Sequence, residues 1–211
     1  MSAGAEASLV PGVDGRPVCW WATASPEYAG YHDREWGRPV VDDRGLYERL
    51  CLEAFQSGLS WLTILRKREA FRAAFAEFQI GRVAAFDEAD LKQLLADDGI
   101  VRNRAKIQAT IENARAALRL RESDEPLSQL IWSFRPQRQA TPRSRSDLPA
   151  TTPESAALAG ELKRRGFRFV GPTTAYALMQ ACGLVNDHLA GCAVRDQVEA
   201  ERRRLTRPAG D

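Results

Sequence analysis

The stretch "GFRFVGPTTAYALMQACG", residues 166–183, contains the pattern from which we infer the architecture of the chain. A helix capped by Thr152 runs to Arg165 and stops at Gly166, and a hairpin of about five residues then ends at Gly171. Pro172 starts an apolar helix. Glycine lets the backbone approach another group closely, and the first amides of a helix have no partner within it. Such outward-pointing amides bind phosphate.

This arrangement is typical of a helix-hairpin-helix, a DNA-binding element that grips the backbone without reading the base sequence. The basic residues at 163–165 add positive charge to the same surface. Any tight turn with glycine between two helices has a similar pattern. The segment taken alone therefore predicts either a DNA contact or a simple structural connection.

The rest of the chain also has helical periodicity, and no segment sustains the alternation of a strand. Asp42 begins a helix that stops at Gly58, Ser60 can cap the next one, and Asp87 begins a third with an acidic residue at its third position. A long helix follows from about Arg102 to Arg121. We therefore expect an all-α fold.

The length of 211 residues and the 44% hydrophobic content favour one core and one domain, which we place at residues 18–194. We expect residues 1–17 and the charged tail at 195–211 to be poorly ordered. A net charge of only +2 means that affinity for nucleic acid must come from local basic clusters.

The first residues lack the basic start and apolar run of a signal peptide, and no segment approaches the roughly 18 apolar residues of a membrane helix. We expect a cytoplasmic protein with no membrane partner. In that reducing compartment the four cysteines argue for metal binding or packing rather than for disulfides.

The two histidines each lie near a cysteine, at opposite ends of the chain. Cys19 precedes His32, and His188 and Cys192 are four residues apart, so a helix would place them on one face. Two cysteines and two histidines suit a structural, tetrahedral zinc ion, which would join the two ends as a clasp. The alternative is that both histidines are ordinary side chains and the spacing is chance.

Glu53 follows Leu46 by seven residues and Leu50 by three, which places it on the buried side of its helix. A buried carboxylate is unfavourable unless it has a partner. Either Glu53 pairs with Arg49 or reaches solvent, or it lines a pocket and awaits a hydrogen-bond donor on a ligand. Four of the five tryptophans lie in the first 61 residues, and a planar, electron-poor ligand would stack on such rings.

Five motifs in this order resemble the 3-methyladenine DNA glycosylase I family: "YHDREWG", "LEAFQSGLSWLTILRKRE", "IVRNRAKIQATIENARA", "RRGFRFVG" and "LVNDHLAGC". The resemblance spans about residues 18–194. It implies an all-α helix-hairpin-helix DNA glycosylase that flips out 3-methyladenine from alkylated double-stranded DNA and removes it by hydrolysis. We expect such a protein to act in base excision repair and to be a monomer.

The resemblance also implies roles for individual residues. Glu53 accepts hydrogen bonds from the extruded base and is the catalytic residue. The base-binding rings are Tyr31 and Trp61, with Trp21, Tyr28 and Trp36 as further walls. The DNA-binding residues are the wedge Gly58 and Leu59 and the phosphate grip Gly166, Val170, Gly171 and Thr173. One structural zinc ion is expected on Cys19, His32, His188 and Cys192.

The sequence departs from the family pattern at three places. Ala54 stands where glycine is common, Trp20 follows Cys19 where a smaller residue is usual, and residues 135–146 are less typical. Because Ala54 adjoins the expected pocket, it can narrow that pocket, but we expect the same substrate class.

Cleavage of the glycosidic bond needs little acid catalysis, because methylation at N3 makes the purine of the nucleotide cationic and lets the base leave as a neutral molecule. Selectivity then lies in extrusion and capture of the base. The hairpin offers no lysine for a Schiff base, which predicts base removal without strand cleavage.

Asp187 is the nearest candidate for the catalytic aspartate that most relatives in the superfamily carry. It precedes a predicted zinc ligand, where Asn186 or Asp187 would cap a short helix, so we leave it out of the catalytic set. Two other functions stay open: a non-catalytic protein that binds lesions or DNA ends, and a glycosylase for a different damaged base.

Overall fold

The computed structural model describes residues 8–205. Its two short strands are β1 (Leu9–Pro11) and β2 (Pro17–Cys19). The helices, in chain order, are α1 (Pro26–Arg34), α2 (Asp43–Gln56), α3 (Trp61–Ala74), α4 (Ile80–Ala84), α5 (Glu88–Ala96), α6 (Arg104–Glu122), α7 (Leu127–Ser133), α8 (Pro153–Arg164), α9 (Pro172–Ala181) and α10 (Arg195–Arg204). Short 3₁₀ segments occur at Trp20–Thr23, Ala76–Phe78 and Arg145–Asp147.

The predicted helical fold is confirmed in its main feature, and the small sheet is an addition to it. β1 and β2 pair in antiparallel register, with Leu9 opposite Cys19 and Val10 opposite Val18. Strands of three residues are too short for an alternating pattern to be read from the sequence. The all-α prediction therefore missed them.

The described chain divides into two compact units, where the sequence predicts one domain. The first unit contains residues up to Pro39, residues 136–150 and residues from Gln180 onward. The second contains residues 40–135 and 151–179. The metal-binding candidates belong to the first unit, and Glu53, the wedge residues and the hairpin belong to the second.

The core of the second unit is built around α2 and α6. Leu46, Leu50 and Phe55 of α2 are fully buried, as their spacing predicts, and Ile107 of α6 is buried with them. The hydroxyl of Tyr47 donates to the carbonyl of Thr110 over 2.8 Å, which joins the two helices. The register of α2 against α6 is therefore fixed by a polar contact as well as by apolar packing.

The predicted helix starts are confirmed. Asp42 accepts a hydrogen bond from the amide of Gly45 at 2.8 Å, and Ser60 accepts one from Thr63 at 3.2 Å. Asp87 forms a reciprocal capping box with Asp90 at the start of α5. These local contacts set where α2, α3 and α5 begin.

Parts of both end segments for which the sequence predicts poor order carry secondary structure among the described residues. β1 lies within residues 1–17 and is held by its pairing with β2, and Leu9 packs against the cluster formed by Cys19, Leu189 and Cys192. α10 lies within the tail and buries Val198 and Arg202, while most of its other residues are charged. Residues 1–7 and 206–211 lie outside the described residues.

The side chain of Arg202 explains how so charged a helix is held. Its Nε donates to the carbonyl of Gly183 at 2.7 Å, and its Nη2 donates to that of Leu184 at 2.8 Å.

Among residues 8–205, no helix is long and apolar enough to cross a membrane.

Candidate functional site

Glu53 is a buried carboxyl in the last part of α2, with 6% of its surface exposed. Among residues 8–205 it has no hydrogen-bond or ion-pair partner. Arg49 instead donates to the carbonyl of Gly45, so the proposed pairing of Glu53 with Arg49 is wrong. Burial raises the pKa of Glu53 to about 8. A buried carboxyl without a partner can bind a ligand that brings its own N–H donors.

The turn after Glu53 presents an apolar side chain to solvent. α2 ends at Gln56, Gly58 has a φ of +81°, and Leu59 is 39% exposed. The amide of Leu59 donates to the carbonyl of Gln56 at 2.7 Å, and Gln56 Nε2 donates back to the carbonyl of Leu59 at 3.3 Å. We call residues 56–60 the wedge turn. A leucine held outward on so tight a turn has the shape needed to enter a base stack.

The predicted base-binding rings divide between the two units. Trp61 is the first residue of α3, in the same unit as Glu53. In the first unit Trp21 is central: its ring lies 5.0 Å from that of Trp36, 5.8 Å from that of Tyr28 and 6.4 Å from that of Tyr31. These four rings therefore form one cluster. Their part in binding a base stays a prediction.

The hairpin, residues 166–171, follows α8 and begins with a glycine in a left-handed conformation. Gly166 has a φ of +90°, and its amide donates to the carbonyl of Lys163 at 3.0 Å. The amide of Phe167 donates to the carbonyl of Leu162 at 2.9 Å, which completes the C-terminal motif of the helix. Phe169, with a φ of +55°, is 44% exposed.

Two of the predicted DNA-binding residues of this segment differ in what they can offer. Thr173, in the first turn of α9, is exposed, so its hydroxyl can reach a phosphate. Val170 is 1% exposed, so only its backbone can contribute. The groups that this segment can offer to a phosphate are therefore backbone amides and the hydroxyl of Thr173.

Sequence reasoning missed Asn113, which holds the hairpin from α6. Its Oδ1 accepts from the amide of Arg168 at 2.7 Å, and its Nδ2 donates to the carbonyl of Arg168 at 3.2 Å. Asn113 is 1% exposed. The available signal was an amide side chain on the buried face of a long amphipathic helix, where a partner is required.

The structure brings together the four predicted metal ligands, all buried in the first unit. The donor atoms of Cys19, His32, His188 and Cys192 lie within 4.8 Å of one another. His32 Nε2 lies 3.1 Å from His188 Nδ1 and 3.4 Å from Cys192 Sγ, and the last two atoms are 3.7 Å apart. A tetrahedral zinc site has donor separations of roughly 3.3–3.8 Å, and the separations among His32, His188 and Cys192 are close to this range.

The outer contacts of the two histidines also suit a metal site. His32 Nδ1 lies 2.7 Å from a carboxylate oxygen of Asp33, and His188 Nε2 lies 3.0 Å from the carbonyl of Trp36. Since these oxygens only accept, the protons belong on those nitrogens, and lone pairs remain on the two nitrogens that face each other. Two lone pairs at that separation repel unless a metal ion or a proton lies between them.

The thiols add an anionic ligand to the same place. The hydrogen bond from the Cys19 thiol is the main cause that lowers the pKa of Cys192; it outweighs burial, and His188 and His32 act in the same direction. A thiolate is the form of cysteine that binds metal. The four residues offer two sulfur and two nitrogen donors and could hold a metal ion.

The predicted short helix around His188 and Cys192 is wrong. The segment is an irregular turn in which Gly191 has a φ of +86° and the amide of Cys192 donates to the carbonyl of Leu189 at 2.9 Å. Arg195 holds this turn by donating to the carbonyls of Asn186 and His188. The ligand pair therefore converges through a loop held by tertiary contacts.

Asp187 is buried and bonded on both carboxylate oxygens. Gln139 Nε2 donates to Oδ1 and Gln180 Nε2 donates to Oδ2, each at 2.7 Å. Asp187 does not cap a helix, because no helix follows it directly. Its carboxylate joins a loop residue, Gln139, to Gln180 at the end of α9.

A family model described as methyladenine glycosylase matches residues 21–196 of the chain. The chain is 51% identical over 178 residues to DNA-3-methyladenine glycosylase 1 of Escherichia coli strain K12, covering 82% of this chain and 94% of that protein. A crystal structure of 3-methyladenine DNA glycosylase I is 49% identical, with a TM-score of 0.81, and covers 83% of this chain and 98% of that one. A tyrosine-to-phenylalanine variant of 3-methyladenine DNA glycosylase I in complex with 3-methyladenine is 33% identical, with a TM-score of 0.79, and covers 82% of this chain and 95% of that one.

Proposed function

The chain belongs to the methyladenine glycosylase family, and on this basis we propose that it is a DNA-3-methyladenine glycosylase. It hydrolyses the N-glycosidic bond of 3-methyladenine in alkylated double-stranded DNA, in base excision repair. The observation that carries this proposal is Glu53, a buried carboxyl without a partner in the last turn of α2, just before the turn that exposes Leu59. A base-recognition group and a wedge thus share one helix end.

The substrate supplies much of the driving force for the reaction. A methyl group on N3 makes the purine cationic, which weakens the bond to the sugar and lets the base leave neutral. The enzyme must extrude the nucleotide, against an unstacking free energy of a few kcal/mol, and hold it. Water then completes the displacement at the sugar.

Glu53 selects the base by accepting a hydrogen bond from the exocyclic amino group of the adenine. Without a ligand its raised pKa keeps the carboxyl largely protonated at neutral pH. An N–H donor that enters the site stabilises the ionised form and lowers this pKa. Recognition and ionisation of Glu53 are therefore coupled.

Leu59 and Gly58 fill the gap that the extruded nucleotide leaves, and the hairpin with the start of α9 binds a backbone phosphate. Both assignments are supported by the exposure of the side chains of Leu59 and Thr173 to solvent. Trp61 stacks on the captured base from the start of α3. Tyr31, Trp21, Tyr28 and Trp36 are assigned to the base site on the family resemblance.

Zinc is proposed as the ion of the Cys19, His32, His188 and Cys192 site, which fits it in donor type and spacing. When bound, the ion supplies structural cross-linking and no step of the reaction. The chain's own residues hold β2, α1 and the 188–192 turn around it.

Base removal without strand cleavage is supported by the composition of the hairpin, which contains one arginine and no lysine at residues 166–171. A Schiff base with the sugar needs an amine. A cytoplasmic location and a monomeric state are proposed on the sequence alone.

The test is to incubate the purified protein with a methylated DNA duplex and to identify any base released. Release of 3-methyladenine with intact strands supports the proposal. DNA binding without release would identify a lesion-binding protein, and release of 7-methylguanine alone would identify a glycosylase with another specificity. Either of these results overturns the proposal.

A further inference from the structure

Helix α6 carries three buried polar residues along one face. Lys106, Thr110 and Asn113 are 8%, 2% and 1% exposed, and their spacing of four and three residues places them on one side of the helix. A polar group in such a position is unfavourable unless it is bonded. The partners of these residues therefore show what this face of α6 is for.

Lys106 binds the end of α2. Its ammonium donates to the carbonyls of Phe55 at 2.8 Å and Ser57 at 2.6 Å. The last carbonyls of a helix have no amide partner within it, and their partial negative charge favours a cation. Lys106 thus satisfies the two carbonyls that flank Gln56, where the wedge turn begins.

The position of Lys106 in its own helix makes this contact more informative. It is the third residue of α6, after the cap Asn103, and a cation near a helix N-terminus is unfavourable for that helix. Burial also lowers the pKa of Lys106. The position of Lys106 therefore destabilises the start of α6 and stabilises the end of α2.

Asn113 makes the corresponding contact to the hairpin. It pairs with both the amide and the carbonyl of Arg168, as a neighbouring strand would. Asn113 lies seven residues after Lys106, which is about 10.5 Å along the helix axis. One rigid helix thus holds the wedge turn at one point and the hairpin at another.

We propose that Lys106 and Asn113 are positioning residues that fix the spacing between the wedge turn and the hairpin, so that both engage the same stretch of damaged duplex. The inference rests on the proposed function, which assigns both segments to DNA. Neither side chain contacts the nucleic acid, because both are committed to backbone groups within the second unit. Their effect on excision is exerted through Leu59 and through the hairpin amides.

The first test compares Lys106→Met with Lys67→Met. Lys67 also donates to two carbonyls, those of Asp98 at 2.9 Å and Gly99 at 3.1 Å, but these belong to the loop between α5 and α6 and not to the wedge turn. We expect K106M to lower kcat/KM on methylated duplex by about tenfold or more, and K67M to change it by less than about threefold. K106R, which keeps the cation, restores part of the loss.

A second measurement separates positioning from base recognition. We expect K106M to bind free 3-methyladenine, followed by tryptophan fluorescence, within about threefold of the wild type, because Glu53 and Trp61 are retained. An equal loss for free base and for duplex would place Lys106 in the base site and overturn the inference.

The salt dependence of duplex binding separates positioning from phosphate contact. A lysine that contacts phosphate releases a counterion, and its removal lowers the slope of log K against log salt by about 0.9. The buried ammonium of Lys106 predicts an unchanged slope for K106M on a duplex with an abasic site. A lowered slope would contradict the inference.

A double-mutant cycle tests the link to the wedge. If Lys106 acts through Leu59, K106M should add less than about twofold to the defect of Leu59→Ala. Independent, multiplicative losses would overturn the inference, and so would a K106M protein with wild-type excision. For Asn113→Ala the same reasoning predicts weaker duplex binding with unchanged affinity for free base.

If K106M does not fold, as judged by circular dichroism, Lys106→Gln is tested in its place, with the same expected changes in activity and binding. The glutamine amide can still donate to one carbonyl, which favours folding of this variant. A failure of the proposed function can be told apart from a failure of the positioning inference, because the wild-type protein would then release no base from alkylated DNA. Failure of the positioning inference leaves an active wild type and equally active variants.

Discussion

The Nε2 atom of His32 lies 3.1 Å from the Nδ1 atom of His188, and the two rings meet edge to face. The outer nitrogen of each ring is directed at an oxygen, of Asp33 or of the Trp36 backbone, so both lone pairs point at the same place. This relationship is the strongest reason to expect a cation among the four ligands.

We predict one zinc ion per chain in protein purified without added metal. Because metal binding contributes folding free energy, a chelator should lower the thermal midpoint by roughly 10 °C or more. Metal analysis and a thermal melt measure the two effects. Cys192→Ser should lose the ion, whereas Cys51→Ala, a buried cysteine outside the cluster, should retain it. Folded wild-type protein with almost no metal would refute the site.

Glu53→Gln should lower excision of 3-methyladenine by about 100-fold or more, because a neutral amide presents a donor as well as an acceptor to the base. Single-turnover kinetics on a methylated duplex measure the effect, and duplex binding serves as the control for an intact wedge and hairpin. A variant that folds and excises at the wild-type rate would remove Glu53 from the mechanism.

The raised pKa of Glu53 also predicts a dependence of stability on pH. The folded state holds a proton between the ordinary value of 4.5 and about 8, while the unfolded state releases it. Stability contributed by this group therefore falls as the pH rises through that window, by at most ~1.4 kcal/mol per pH unit. Urea unfolding at pH 5 and pH 8 should show a smaller decline for E53Q than for the wild type. Equal declines would contradict the burial of an unpaired carboxyl.

Asp187→Asn should retain most single-turnover excision, within about tenfold of the wild type, provided that the metal is retained. The reason is that both oxygens of Asp187 are already bound by Gln139 and Gln180. A loss of about 100-fold or more in a metal-loaded, folded protein would instead make Asp187 catalytic.

Gly166→Ala should destabilise the protein by about 1–2 kcal/mol, since alanine at a φ of +90° is strained. Gly160, in the middle of α8, has ordinary helical geometry and open space around it, so Gly160→Ala should stabilise by up to ~1 kcal/mol. Urea unfolding of the two variants measures the difference. If both alanines act in the same direction, the strain argument at the start of the hairpin fails.

Local signals were sufficient for the helical elements that have clear caps. Ser60, Asp87 and Thr152 were identified as caps and Asp42 as the start of a helix, and each of the four bonds an amide at the start of its helix. The metal ligands could also be chosen from the sequence, because the chain has only two histidines and each has a cysteine nearby. Caps and ligand types are properties of neighbouring residues and of composition, so they can be read without coordinates.

Tertiary structure alone decided what the polar residues of the interior do. The sequence places Glu53 on a buried face, but only the fold shows that no neighbour pairs with it. Lys106 and Ser57 are 49 residues apart, and Asn113 and Arg168 are 55 apart. The order of β1 and α10 depends in the same way on distant partners. Periodicity reports which side of a helix is buried, whereas the partner that a buried polar group meets is set by chain segments far away in sequence.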